Sequence, residues 1–427
     1  MFLKPARLFI AILGCLPFPV LAQNISRPYE NNPYSRYGVG EEFNAINPAI
    51  KAMGGISAVY QDPYIVNTEN PASYATIKNF TYEGGAEGRS RTIISGNNRY
   101  HTGAFALSYL NLAIPMGKHA GAVIGFKPVT KVNYLLYDTV QSLIGPTSYE
   151  YSGTGGLNNF FIGAAAKIKG LSVGVNFGYM FGTIRQSNWY KTTVTTNYVN
   201  NSEFISSNSM GGFNFKLGLT YEHDLGKEYI IRIGGTADLS QKINTEVSEF
   251  WIAHPFYSSD TTGSDTAYSV KSAMRKITLP GSYSGGIFLA KGDRWGVGVT
   301  YKTTNWSQFS KPDIIDSIGS RTYKVAIGAE YTPNVLSLYK YWQRVTYRAG
   351  FNLGNDYVSI SGKQASYYAA TFGLSLPFRR TNDRIHTSFE IGKLGNSANG
   401  LLQQNFIRFN IGVSFNDKSW FVKRKYD

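Results

Sequence analysis

The sequence predicts an all-β fold: a closed antiparallel transmembrane β-barrel of about fourteen strands, with an N-terminal hatch inside its lumen. Three observations carry this. Apolar residues recur with period two from about residue 78 onward, the pattern of strands with two unlike faces. The connections between these runs alternate long and short, as in barrels that turn tightly on the periplasmic side and loop widely outside. Composition agrees. Of 427 residues, 15% are aromatic and 45 are glycine, while the mean hydropathy is −0.21. A helical membrane bundle needs several apolar runs of roughly 18 residues, and only the extreme N-terminus offers one. With 31 Tyr, 26 Phe and 6 Trp, the chain has too much surface to bury for disorder.

Residues 1–22 read as a signal peptide. Lys4 and Arg7 supply the positive start, Leu8 to Leu21 the apolar run, and Val20-Leu21-Ala22 a small-residue exit. Pro17 and Pro19 interrupt that run, which argues against an anchor. Ile12-Leu13-Gly14-Cys15 resembles a lipoprotein box, but the apolar run continues past Cys15. Cleavage after Ala22 removes the one cysteine and lowers the net charge of +15 by two. Disulfides and thiolate chemistry go with it.

The strand pattern is clearest at the end of the chain. Ile407, Phe409, Ile411, Val413 and Phe415 alternate with Arg408, Asn410, Gly412 and Ser414. Fourteen such runs fall at about 78–91, 101–116, 119–137, 158–168, 171–187, 209–223, 228–244, 277–290, 294–306, 321–332, 343–354, 366–378, 384–393 and 404–415. Only the tenth connection, 333–342, is longer than the alternation asks. A closed sheet shows apolar side chains to lipid and polar ones to a lumen, and it satisfies every backbone group where water cannot. Trp189, Tyr190, Trp306, Tyr339, Tyr341 and Trp342 are expected in interfacial girdles. Glycines on the inward faces would let a packed lumen approach the wall. The barrel is assigned to 78–415 and a basic periplasmic tail to 416–427, with both termini periplasmic in the cell outer membrane.

Residues 23–77 do not alternate. Gly54-Gly55 and Asn70-Pro71 indicate tight, defined backbone, so the segment is assigned as the hatch rather than a floppy periplasmic arm.

Met53-Gly54-Gly55 with Ala58, then Asp62, then Asn70-Pro71-Ala72 resembles the hatch of the outer-membrane long-chain fatty acid and hydrocarbon transporter family, the FadL/TodX type. Leu279-Pro280, Asp293-Arg294-Trp295 and Asn305-Trp306-Ser307-Gln308-Phe309 look like that family's second block. Tyr331-Thr332-Pro333 and the ending 416–421 look like its Bacteroidota branch. The resemblance implies fourteen strands, a hatch and passive uptake of hydrophobic compounds such as long-chain fatty acids. It places capture on the third and fourth outer loops, 188–208 and 245–276, the latter carrying Phe250, Trp251, Ile252, Phe256 and Tyr257. It also implies a kinked third strand with a lateral exit. Pro128 sits well inside the third strand near Gly125, where proline removes a ladder hydrogen bond, so these two residues are the candidate gate; a harmless bulge is the alternative. Expected partners are outer-membrane lipid and lipopolysaccharide and hydrophobic small molecules. A second reading is a non-transporting barrel subunit of an outer-membrane secretion or assembly complex, which the basic tail and apolar fourth loop suit.

Arg344, Arg348, Arg408 and Lys302 are candidate lumen cations for a substrate carboxylate, or partners for Glu330 and Glu390. No basic stripe interleaved with aromatics points to nucleic acid. His386, Ser388 and Glu390 share a strand face, but residues two apart lie about 6.5–7 Å apart along a strand, too far for a nucleophile–base pair. The five histidines lack metal spacing. No catalytic residue, metal or cofactor is assigned.

Overall fold

The computed structural model describes residues 30–142, 145–192, 200–254, 264–310, 317–337, 339–379, 381–397 and 400–418. The expected signal peptide and most of the C-terminal tail lie outside them.

A two-residue strand, β1 (Glu41–Glu42), lies within the N-terminal segment. The wall follows as β2 (Phe80–Ser95), β3 (Asn98–Met116), β4 (Ala120–Pro128), β5 (Thr130–Ser142), β6 (Gly145–Ile168), β7 (Leu171–Thr192), β8 (Asn201–Gly226), β9 (Tyr229–Asp238) and β10 (Gln241–His254). It continues through β11 (Asp265–Leu279), β12 (Ser282–Lys291), β13 (Trp295–Thr304), β14 (Thr322–Tyr331), β15 (Thr346–Ile360), β16 (Lys363–Pro377), β17 (Arg384–Leu394) and β18 (Gln403–Asp417). All pairings are antiparallel, and β18 closes on β2 from Asp417–Phe80 to Gln403–Ile94. The pairs β4/β5, β9/β10 and β11/β12 each continue one wall strand across a break. The wall is thus a closed fourteen-stranded barrel.

The faces are inverted relative to a water-soluble sandwich. Along β7, Val173, Val175 and Phe177 are exposed, whereas Ser172 and Asn176 are 1% and 5% exposed. Apolar outside and polar inside is the order that hydrocarbon selects. The barrel is an outer-membrane type.

The expected long loops are mostly strand. β5–β6, β7–β8 and β10–β11 continue as paired hairpins past the zone where the alternation is clean, and 96–97 and 361–362 are two-residue turns. Residues 245–254 are laddered to both β8 and β11, which corrects their assignment as loop. The reason is physical: beyond the membrane both faces of a hairpin meet water, so pairing persists without hydrophobic periodicity.

Residues 30–77 lie inside the ring. Short helical turns at Pro33–Arg36, Pro48–Lys51 and Pro71–Thr76 each start with proline behind an Asn cap, Asn32, Asn47 and Asn70, whose side chain accepts from the backbone two residues on. Inward glycines receive them. Pro71 rests on Gly174, Asn70 on Gly218, Met53 on Gly328 and Gly350, and Pro48 on Gly412. Gly54 has φ +70°, and a Cβ there would stand 2.8 Å from the Phe351 carbonyl oxygen.

Gly54→Ala is therefore expected to destabilise the folded barrel by about 1–3 kcal/mol. Gly88→Ala, whose Cβ would find its nearest neighbour at 3.7 Å, should be neutral within about 0.5 kcal/mol. The midpoint of heat-induced loss of the fast-migrating folded band in detergent gels checks both.

Candidate functional site

Pro128 falls where the wall breaks, whereas Gly125, three residues earlier, is still laddered to Asn111 of β3 and Phe161 of β6. Pro128 ends β4, Val129 pairs with neither strand ladder, and β5 starts at Thr130. The register of β3 with β4 runs from Met116–Ala120 only to Leu110–Phe126. Above that point the β5 edge turns away from β3 and bonds to the N-terminal segment instead. Glu41 and Glu42 of β1 pair with Lys131 and Thr130. Phe43 N donates to the Val129 carbonyl at 2.8 Å and Asn32 N to the Asn133 carbonyl at 2.8 Å. Asn31 spans the gap: its Nδ2 donates to the Leu135 carbonyl at 2.8 Å and its backbone N to Thr102 Oγ1 of β3 at 2.9 Å. The seam between the second and third wall strands is closed by residues 31–43, not by a direct ladder.

Two spaces lie on either side of the wall just before this break. On the outside, an apolar groove of about 570 Å³ is lined by Tyr82, Leu110, Ile124, Phe126, Phe160 and Phe415, with Gly125 at its floor. On the inside, a cavity of about 410 Å³ reaches Pro128, Val129 and Phe161. A Cβ on Gly125 would collide with the Phe161 ring and with Asn111, so that ring stands between groove and cavity.

The cavity is charged. Lys127, Lys216, Lys302 and Lys324 line it, with Glu69 and Glu390 among the acids. Glu69 takes Lys127 Nζ at 2.6 Å and Lys216 Nζ at 2.7 Å. Burial alone would raise the Glu69 carboxyl, but Lys127, Lys216 and Lys302 outweigh it and hold it well below the usual carboxylate range. Arg408 bonds Glu390 at 3.4 Å and Glu41 at 3.3 Å. Arg348 bonds Glu330 at 2.9 Å and donates to Tyr60 Oη at 3.1 Å. Both arginines are thus lumen groups held by acids.

Arg344 is not a lumen cation. It precedes β15, in the short helix Tyr341–Arg344, and donates to the Phe378 carbonyl at 3.0 Å; its strand starts three residues later than the expected run 343–354. Trp306 is likewise no girdle residue. It is 3% exposed and stacks on Tyr357 at 4.0 Å.

The N-terminal motif residues are joined to the wall. Gly54 N donates to Thr371 Oγ1 at 2.9 Å, Asp62 pairs with Arg384 at 3.1 Å, and Asn70 Nδ2 donates to the Leu219 carbonyl at 3.4 Å. Pro71 and Ala72 begin the turn that Asn70 caps. Gly55, with φ +87°, closes the Pro48–Lys51 turn by donating to the Ile50 carbonyl. Sequence reasoning missed the anchors between these motifs. Lys51 pairs with Glu87 at 2.7 Å, Arg89 and Arg91 with Glu30 at 3.3 and 3.0 Å, and Arg91 with Glu41 at 2.8 Å. Charged residues in a segment expected to be buried were the available signal.

The capture residues do not converge on the seam. Phe250, Trp251 and Ile252 lie in β10, opposite Ile205, Phe204 and Glu203, with Trp251 exposed. Phe256 and Tyr257 lie outside the described residues. His386 bonds Ser375 Oγ through Nδ1 at 2.6 Å and Ser414 Oγ through Nε2 at 3.2 Å, leaving Ser388 aside. Among the described residues no metal-holding cluster occurs.

Glu69→Gln is expected to destabilise the barrel by about 3 kcal/mol at pH 7, because it leaves Lys127 without its ion-pair partner and Lys216 with Asp238 alone. A carboxyl depressed in the folded state stabilises it above the unfolded value near 4.5 and loses that contribution as pH falls lower. The wild-type melting temperature should therefore fall more than that of Glu69→Gln between pH 6 and about pH 3.

Solved barrels share this architecture at low identity. The CymD monoaromatic hydrocarbon channel is 16% identical with a TM-score of 0.57, covering 88% of this chain and 99% of that one. The toluene transporter TbuX of Ralstonia pickettii is 16% identical with a TM-score of 0.58, covering 87% and 98%. The toluene transporter TodX of Pseudomonas putida is 16% identical with a TM-score of 0.58, covering 88% and 97%. These similarities establish the fold, and none of the curated proteins matches the chain in sequence. Family assignment differs from the resemblance to FadL and TodX: the BamG family model matches residues 5–427, and the chain belongs to the BamG family.

Proposed function

We propose that this barrel is an outer-membrane channel for passive uptake of hydrophobic compounds, long-chain fatty acids or similar, with lateral exit at the kinked third strand. The interrupted wall carries the reading. Past Val129 the sheet is sealed by a removable segment of chain, and an apolar groove outside stands back to back with the cavity inside at Gly125 and Phe161. A compound reaching the cavity would leave sideways into hydrocarbon without crossing the polar turn end. Residues 23–77 act as the hatch, both termini face the periplasm, and Lys302 and Lys324, directly opposite in register, are placed to meet a carboxylate. The hydrocarbon and toluene transport named for CymD, TbuX and TodX supports this class of cargo.

A second reading is favoured by one observation. The hatch is fastened by buried ion pairs, and the cavity it leaves is small and charged rather than greasy. That suits a barrel subunit of an outer-membrane secretion or assembly complex that passes no small molecule. Membership of the BamG family, apart from the transporters, is in keeping with it.

A bifunctional cross-link between Asn31→Cys and Thr102→Cys, in a Cys15→Ser background, would hold the seam shut. Uptake of a fluorescent long-chain fatty acid should fall at least tenfold and recover when a cleavable linker is reduced. Pro128→Val should reduce uptake in the same direction. Unchanged uptake in both, and in a deletion strain, would reject transport. A stoichiometric partner recovered from native membranes would then establish the second reading.

A further inference from the structure

The connection between β14 and β15 is the one that the alternation of long and short gaps did not accommodate. Tight turns join the neighbouring strands at the same end, as at 169–170, 227–228 and 292–294. Here fourteen residues, 332–345, intervene, and all but Leu338 are among the described residues. Asn334 N donates to the Gln343 carbonyl at 2.8 Å, closing the base. Leu336 N donates to Asn334 Oδ1 at 3.0 Å, Lys340 N to Ser337 Oγ at 3.2 Å, and Arg344 reaches the Phe378 carbonyl.

This strap turns its apolar side chains outward. Leu336 is 86% exposed, Tyr339 94% and Trp342 64%. Polar side chains and backbone hold the strap together while these hydrophobic ones are left uncovered among the described residues.

Its place in the fold says what covers them. Trp295, Tyr331 and Tyr347 are consecutive partners across β13, β14 and β15, with Tyr331 and Tyr347 exposed on the lipid face. They form an aromatic row of the kind found at a membrane–water boundary. The strap leaves this row directly after Tyr331 and returns just before Tyr347, whose hydroxyl donates to the Trp342 carbonyl at 3.2 Å. It also carries Lys340 and Arg344 and no acid. Tryptophan, tyrosine and leucine beside uncompensated cations is the chemistry of a segment lying in a headgroup layer of acidic phospholipid.

We infer that residues 334–344 form an interfacial anchor, with Leu336, Tyr339 and Trp342 entering the headgroup–acyl boundary and Lys340 and Arg344 meeting lipid phosphates. The inference rests on the barrel's membrane setting and not on transport.

The test uses the full chain in nanodiscs of phosphatidylcholine, with or without about a third phosphatidylglycerol. A bimane label is placed at Tyr339→Cys, or at Leu336→Cys as the second reporter, in the Cys15→Ser background, with folding verified by the heat-shifted gel band. Quenching by headgroup-proximal nitroxide lipid should exceed quenching by aqueous iodide. It should rise at least twofold with the acidic lipid, and Lys340→Glu with Arg344→Glu should abolish the rise. Free access of iodide with no dependence on lipid would overturn the inference. So would protection seen only in native membranes with a co-purifying protein, which would make the strap a protein-docking surface.

Discussion

The requirement that every backbone amide and carbonyl find a partner where water is absent governs this molecule. Closure of β18 on β2 meets it for the ring, and the inversion of faces along strands such as β7 follows from the same medium. Apolar side chains outside then need no further partner. Polar ones inside do, and the N-terminal segment supplies them: the Asn47 side chain and the Val66 backbone N bond Glu83, Lys51 bonds Glu87, and Glu30 bonds Arg89 and Arg91. The wall and its contents are one hydrogen-bonding system.

The seam at Val129 is where that system substitutes one kind of partner for another. Proline withholds a donor at the end of β4, the sheet splits, and the side chains of Asn31 and Ser35 with the backbone of Asn32 and of residues 41–43 complete the β5 edge. A ladder between β3 and β5 would be continuous and hard to open. Here the bonds come from a separate segment, which is itself tied to the wall by Glu41 with Arg91 and Arg408. Those ion pairs set how firmly the seam is held.

The fold was legible because lipid imposes a period of two on residues such as 407–415 and 171–181. The same cause explains the gaps in the reading. Residues 145–157, 201–208 and 265–276 stand clear of hydrocarbon, so their pairing leaves no apolar signature. Pro128 announced the seam, but nothing in the chain indicated that Asn31 would span it. Arg348 and Arg408 could be placed in the lumen from their strand faces, whereas Arg344 could not, since its position depends on where β15 begins. Partners such as Lys51 and Asn410, 359 residues apart, are invisible to any local pattern.

The inward glycines of Gly174, Gly218, Gly350 and Gly412 have a consequence for how the chain reaches this state. They let the N-terminal segment sit within the thickness of the wall, touching strands from every part of the ring. Tyr34 hydrogen-bonds the Leu402 carbonyl across 368 residues of sequence. Contacts of that span make folding slow. An empty ring would also enclose Arg91 without its acids, Glu30 and Glu41. The N-terminal segment therefore has to wait for the last hairpin, and completing the cylinder and seating its core become a single late event.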